Sequence, residues 1–161
     1  MFDIATIDKS IVYLALYDNK DPWDIGAKII KKATSSDYSH CELIVGNWSY
    51  SSSIPDKGVR RKLCKDVYKY PDNWTVIPIL WVKPEAVIRF FDITRDQPYG
   101  WLGLIVGQVF NIRIDMLGYF CSEWVIAALF SGLRVVLNAQ QYSPEDVRSF
   151  VLAMNKVYAL R

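Results

Sequence analysis

The sequence contains one histidine and three cysteines in 161 residues, and that scarcity excludes several chemistries. Cys41, Cys64 and Cys121 form no Cys-x-x-Cys or comparable pair, so with a single histidine no metal site is expected. An odd, sparse set of this kind does not form a disulfide framework either. A formal net charge of +2 is too small to imply nucleic-acid binding. The basic cluster at Arg60, Arg61, Lys62 and Lys65 is interrupted by Leu63 and Cys64, and reads as an exposed strand edge or solvated face. There is no glycine-rich phosphate loop and no Gly-x-Ser-x-Gly turn, and no cofactor is expected. The longest apolar stretch, Trp101 to Ile112, is broken by Gln108 and Asn111. It falls short of the ~20 residues that a membrane-spanning helix needs. The N-terminus lacks the basic start, apolar stretch and cleavage site of a signal peptide, so a cytoplasmic location is expected.

What is present is a globular balance of 52% hydrophobic, 14% aromatic and 22% charged residues, without repeat or linker. One domain spanning residues 1–161 is expected. Ile11–Tyr17 is a β-branched and aromatic run that stops at a turn, which predicts a buried strand. A short helix over Trp23–Lys32 follows, then a strand over Tyr38–Val45. Gly46-Asn47 is a turn signal joining it to a strand over Trp48–Ser53. Further strands are predicted at Val59–Leu63 and at Trp74–Val82, where Pro78 demands an edge or a bulge. Pro84 and Glu85 suit the first turn of a helix running to about Asp92 or Arg95. Tyr99–Phe110 reads as one helix or two short ones, and Ser122–Phe130 as an apolar helix stopped by Ser131-Gly132. Ser143-Pro144-Glu145-Asp146 starts a last helix to about Tyr158. The expected class is α+β, with an antiparallel sheet from the first half and helices mostly from the second.

His40 lies within Tyr38-Ser39-His40-Cys41-Glu42-Leu43-Ile44-Val45. Strand alternation puts Tyr38, His40, Glu42 and Ile44 on one face, and Cys41, Leu43 and Val45 on the other. Two titratable side chains thus share a face, as a site would require; a solvent-facing strand would show the same pattern. Cys121 directly precedes the apolar helix, where the helix dipole and unsatisfied N–H groups stabilise a thiolate and an oxyanion. A packed core cysteine would also fit there. Cys41 is mid-strand and faces away from His40, and Cys64 sits in a charged stretch, so neither shares the setting of Cys121.

The order Tyr-Ser-His-Cys-Glu-Leu-Ile-Val, Tyr-Ser-Ser-Ser…Gly-Val-Arg, Tyr-Phe-Cys-Ser-Glu-Trp-Val and Tyr-Ser-Pro-Glu-Asp-Val resembles the circularly permuted, NlpC-type branch of papain-like cysteine hydrolases. That superfamily also contains lecithin retinol acyltransferase, and the closest look-alikes are compact bacterial and bacteriophage versions. The resemblance covers nearly the whole chain. It implies a papain-like antiparallel sheet packed on the cysteine helix, with Cys121 as nucleophile and His40 as base. It also implies a third polar residue on the strand after the histidine, near Ser51 or Ser52. Glu42, two residues from His40 on the same face, is the local alternative and is favoured over Ser51. Tyr38 is either a further polar contact or packing.

The activity implied is a cysteine peptidase or amidase, or an acyltransferase, working through a thioester on a peptide, amide or acyl-ester substrate. For a viral protein the compartment would be the host cytoplasm. The alternative is a non-catalytic interaction or bacteriophage structural protein that keeps the scaffold.

Overall fold

The structure, a computed structural model, describes residues 7–20, 31–32, 36–98, 120–131 and 142–160. The helix expected at Trp23–Lys32 lies outside these residues except for the helical Lys31 and Lys32, and the one at Tyr99–Phe110 lies outside them altogether. Among the described residues, the strands are β1 (Val12–Tyr17), β2 (His40–Val45), β3 (Trp48–Ser53), β4 (Gly58–Leu63) and β5 (Trp74–Ile79). They form an antiparallel sheet in the order β4-β3-β2-β1-β5. The helices are α1 (Cys64–Val67), α2 (Pro84–Thr94), α3 (Cys121–Ser131) and α4 (Pro144–Ala159). None is long and apolar enough to cross a membrane. The architecture is α+β.

Each sheet face has its own core. Leu14, Leu16, Cys41, Leu43, Val45 and Tyr50 meet Val87 and Phe91 of α2, Cys121, Trp124, Val125 and Ala128 of α3, and Val147 and Val151 of α4. The α3 helix is apolar all round, which matches its near-complete burial. Trp124 ties it to α2 by donating from Nε1 to Thr94 Oγ1 at 2.9 Å. On the opposite face, Ala15 and Ile44 are covered by Cys64 and Tyr68, with Trp74 and Val76 alongside. The short α1 and the 3₁₀ turn Pro71–Asn73 that build this cover were not expected from the sequence.

Local chemistry explains the boundaries. Two residues join β2 to β3, and Gly46 takes φ +59° at the first of them, where a primed hairpin turn favours glycine. In the edge strand β5, the Pro78 carbonyl accepts from Asn155 Nδ2 of α4 at 2.6 Å, so the missing N–H of the proline faces away from the ladder. Leu80 N–H donates to Asn155 Oδ1 at 3.1 Å, and the strand expected to reach Val82 stops at Ile79. The last helix starts as expected, with Ser143 and Asp146 forming a capping box.

At the other edge, Gly58 opens β4 with φ +154° and bridges Pro98, while Val59 N–H donates to Gln97 O at 2.9 Å. A Cβ on Gly58 would lie 2.1 Å from the Gln97 carbonyl oxygen. Gly58→Ala is therefore expected to destabilise the fold by about 2 kcal/mol or more, through both backbone strain and collision. The urea midpoint checks this, and a wild-type midpoint would refute it.

Candidate active site

β2 begins at His40, at the end of the sheet where β2 and β3 have separated: the two strands pair only over Leu43–Val45 and Trp48–Tyr50. Cys41 therefore lies beyond the last pair. Its carbonyl accepts from Ser51 Oγ at 2.8 Å, and its N–H donates to the Cys121 sulfur. The Cys41 side chain lies in one buried cluster with Cys121. A separated pair of strands thus holds the nucleophile candidate at the sheet's end.

Cys121 occupies the first turn of α3, where helical N–H groups have no carbonyl one turn back. Glu123 supports that turn, its Oε2 accepting from Phe120 N–H at 3.0 Å. Burial raises the Glu123 carboxyl to about 7, against the Phe120 hydrogen bond that lowers it, and the charge on Cys121 adds to the rise. The Cys121 thiol lies well below its ordinary value. The hydrogen bond from Cys41 contributes most, and the charge and hydrogen bond of His40 add to it against burial.

His40 joins the two sides of the site. Burial works to lower its pKa, but the charge and hydrogen bond of Cys121, together with those of Glu42, raise it to about 9. A thiolate–imidazolium pair is the consistent assignment. Glu42 Oε1 accepts from His40 Nε2 at 2.9 Å, which leaves Nδ1 as the ring nitrogen available to the sulfur.

Glu42 is 1% exposed, and every oxygen lone pair is used. Oε1 accepts from His40 Nε2 and Arg60 Nη2; Oε2 accepts from Ser49 Oγ and, at 3.1 Å, from Arg60 Nη1. Ser49 Oγ also lies 2.8 Å from the Tyr68 hydroxyl. Because the Ser49 proton goes to Glu42, Tyr68 is the donor there, and burial raises its pKa so that it keeps that proton. Burial works to raise the Glu42 pKa, but His40 and Arg60 hold it at about 2. Arg60 continues to Asp56, Nε to Oδ2 at 3.2 Å, and Asp56 meets Lys62 at the surface. Charges therefore alternate in sign along Cys121, His40, Glu42, Arg60, Asp56 and Lys62.

The structure brings Cys121, His40 and Glu42 together and does not bring Ser51 to the imidazole, since its hydroxyl donates to Cys41 O and Ser52 O. Tyr38 precedes the strand, so alternation does not reach it, and it packs against the main core rather than sharing the face of His40. The basic cluster needs correction in part. β4 is an edge strand, but Arg60 is 12% exposed and turned onto Glu42, and Arg61 stacks over Trp48 and Phe91. Arg61, Lys62 and Lys65 are exposed as expected, and only Arg60 departs from a solvated edge, because a buried carboxylate claims it. Sequence reading missed Arg60, Ser49, Tyr68 and Cys41. The only signal was same-face alternation, since Arg60 is opposite Ser51 in register and Ser49 opposite Ile44. A cavity of about 360 Å³ opens beside His40, Glu42 and Arg60, walled by Tyr17, Trp74 and Val67. Among the described residues no cluster of His, Cys, Asp or Glu could hold a metal ion.

No protein-family model matches the chain, and no curated protein matches it.

Proposed function

We propose that this chain is a cysteine hydrolase of the permuted papain-like type, cleaving an amide, peptide or ester carbonyl through a thioester. The observation that carries the reading is the His40–Glu42 pair, Nε2 to Oε1 at 2.9 Å, together with a Cys121 at the start of α3 whose thiol pKa His40 lowers. In this scheme the Cys121 thiolate attacks the carbonyl carbon, and the first-turn N–H groups of α3 receive the oxyanion. The His40 imidazolium gives its proton to the leaving amine or alcohol, then takes one from the water that resolves the thioester. Glu42 holds the ring in place and stabilises its charge. Neither geometry nor fold names the acyl group.

A thiol-reactive probe at neutral pH separates this reading from a non-catalytic scaffold. Labelling is expected at Cys121 ahead of Cys41 and Cys64, whose thiols burial pushes up. His40→Ala is expected to slow it by about 100-fold. Equal labelling with and without His40 would sink the proposal. A panel of peptide, muropeptide and acyl-ester substrates, run against Cys121→Ala, identifies the substrate.

A further inference from the structure

Cys41 has no part in that hydrolytic scheme, yet it is built against the nucleophile. It projects from the sheet face on which α3 packs and shares a core cluster with Cys121. Its backbone N–H and its thiol both act to lower the Cys121 thiol pKa. All three cysteines are free thiols, but only this pair shares a cluster: Cys64 lies in the cluster on the opposite sheet face. Cys121 retains 5% exposure and Cys41 none, so a small oxidant reaches Cys121 first.

We propose that Cys121 and Cys41 form a peroxide-responsive pair, in which Cys121 is oxidised and Cys41 resolves it as an intramolecular disulfide. In the first step the Cys121 thiolate attacks one oxygen of hydrogen peroxide. The S–O bond forms, the O–O bond breaks, and the departing hydroxide takes the His40 proton as water. Sulfur loses two electrons and the peroxide gains them, leaving a sulfenic acid on Cys121. In the second step the Cys41 sulfur attacks the Cys121 sulfur. The S–S bond forms, the S–O bond breaks, and hydroxide leaves with the Cys41 proton as a second water.

The order of events is enforced electrostatically. Burial holds the Cys41 thiol protonated, and the negative charge on Cys121 reinforces this. Conversion of Cys121 to a neutral sulfenic acid removes that charge, so Cys41 becomes easier to ionise when its nucleophile is needed. Closure requires the sulfurs to approach to ~2.05 Å, between side chains that already share one buried cluster. The disulfide would protect Cys121 from irreversible oxidation and would block acyl transfer until a thiol reductant restored it.

The test uses the intact chain and reads mass and thiol labelling, so it stands whether or not the hydrolase reading does. Treatment with about one equivalent of hydrogen peroxide is expected to lower the intact mass by about 2 Da. A non-reducing peptide map should join Cys41 to Cys121, and probe labelling of Cys121 should fall about tenfold and return with dithiothreitol. In Cys41→Ser, treated with two or more equivalents, the expected product is instead a gain of about 32 Da on Cys121, with labelling that dithiothreitol does not restore. Wild-type protein that goes directly to the sulfinic acid, or a disulfide through Cys64 or between molecules, would overturn the proposal. The wild-type mass and map decide it even if the variant fails to fold.

Discussion

Glu42→Gln is expected to lower the unfolding free energy by about 3–5 kcal/mol and to slow Cys121 alkylation at neutral pH by about tenfold. Urea denaturation and the rate of iodoacetamide labelling read the two effects. The size follows from saturation of the carboxylate. Four donors converge on two oxygens that are almost wholly buried. An amide of the same shape would turn N–H groups toward the Arg60 guanidinium or the imidazole. Arg60, 12% exposed, would keep only Asp56 as an ionic partner. Glu42→Met combined with Arg60→Met removes both charges and is expected to cost less than Glu42→Met alone, because no unpaired buried charge remains. A double variant as unstable as the sum of the singles would show that the pair does not act as a unit.

The second large effect is on the dependence of stability on pH, with four contributions of different sign. The Glu123 pKa is raised, so its contribution is full below 4.5 and is lost as pH rises through about 7. The Glu42 pKa is depressed, so its contribution is present above 4.5 and is lost as pH falls through about 2. The His40 pKa is raised, so its contribution is full below 6.5 and is lost as pH rises through about 9. The Cys121 pKa is depressed, so its contribution is present above 9 and is lost as pH falls through its lowered value. Between 6.5 and 9 the last two offset one another. The unfolded chain carries one proton on the thiol, the folded chain carries one on the imidazole, and folding moves the proton without releasing it. The urea midpoint is therefore expected to rise with pH up to about 4.5, to stay level to about 6.5 while the loss at Glu123 offsets the gain at Cys121, and to change little toward 9. In Cys121→Ala the thiol contribution and most of the rise in His40 are lost together, so the midpoint should fall between 4.5 and 7, where Glu123 is left unopposed. A wild-type midpoint that falls steeply between 6.5 and 9 would contradict a thiolate–imidazolium pair.

The strands were legible because their apolar runs are short and bounded by turn residues, and β1, β3 and the hairpin at Gly46-Asn47 fall where pattern placed them. So were the starts of α2 and α4, at Pro84 and Pro144, which carry local signals. The proximity of Glu42 to His40 followed from alternation alone. Arg60 did not, because a cation in a basic run gives no sign of which neighbour turns inward; that depends on a carboxylate two strands away. Cys41 was dismissed by the same alternation that found Glu42. Strand pleat gives the face of a side chain correctly but says nothing of where a helix from much later in the chain will end. The separation of β2 from β3 beyond Leu43, which lets the Cys41 N–H reach Cys121, is likewise a tertiary event without a local signature.

The closing of the two sheet edges bears on self-association. An exposed edge strand offers its unpaired backbone groups as a template for a second molecule. Here β4 begins against Gln97 and Pro98, and the penultimate residue of β5 is a proline whose carbonyl, with the next turn's Leu80 N–H, is occupied by Asn155. One end of each edge is thus occupied by the chain itself, and loss of Asn155 would return the Pro78 carbonyl and Leu80 N–H to the open edge.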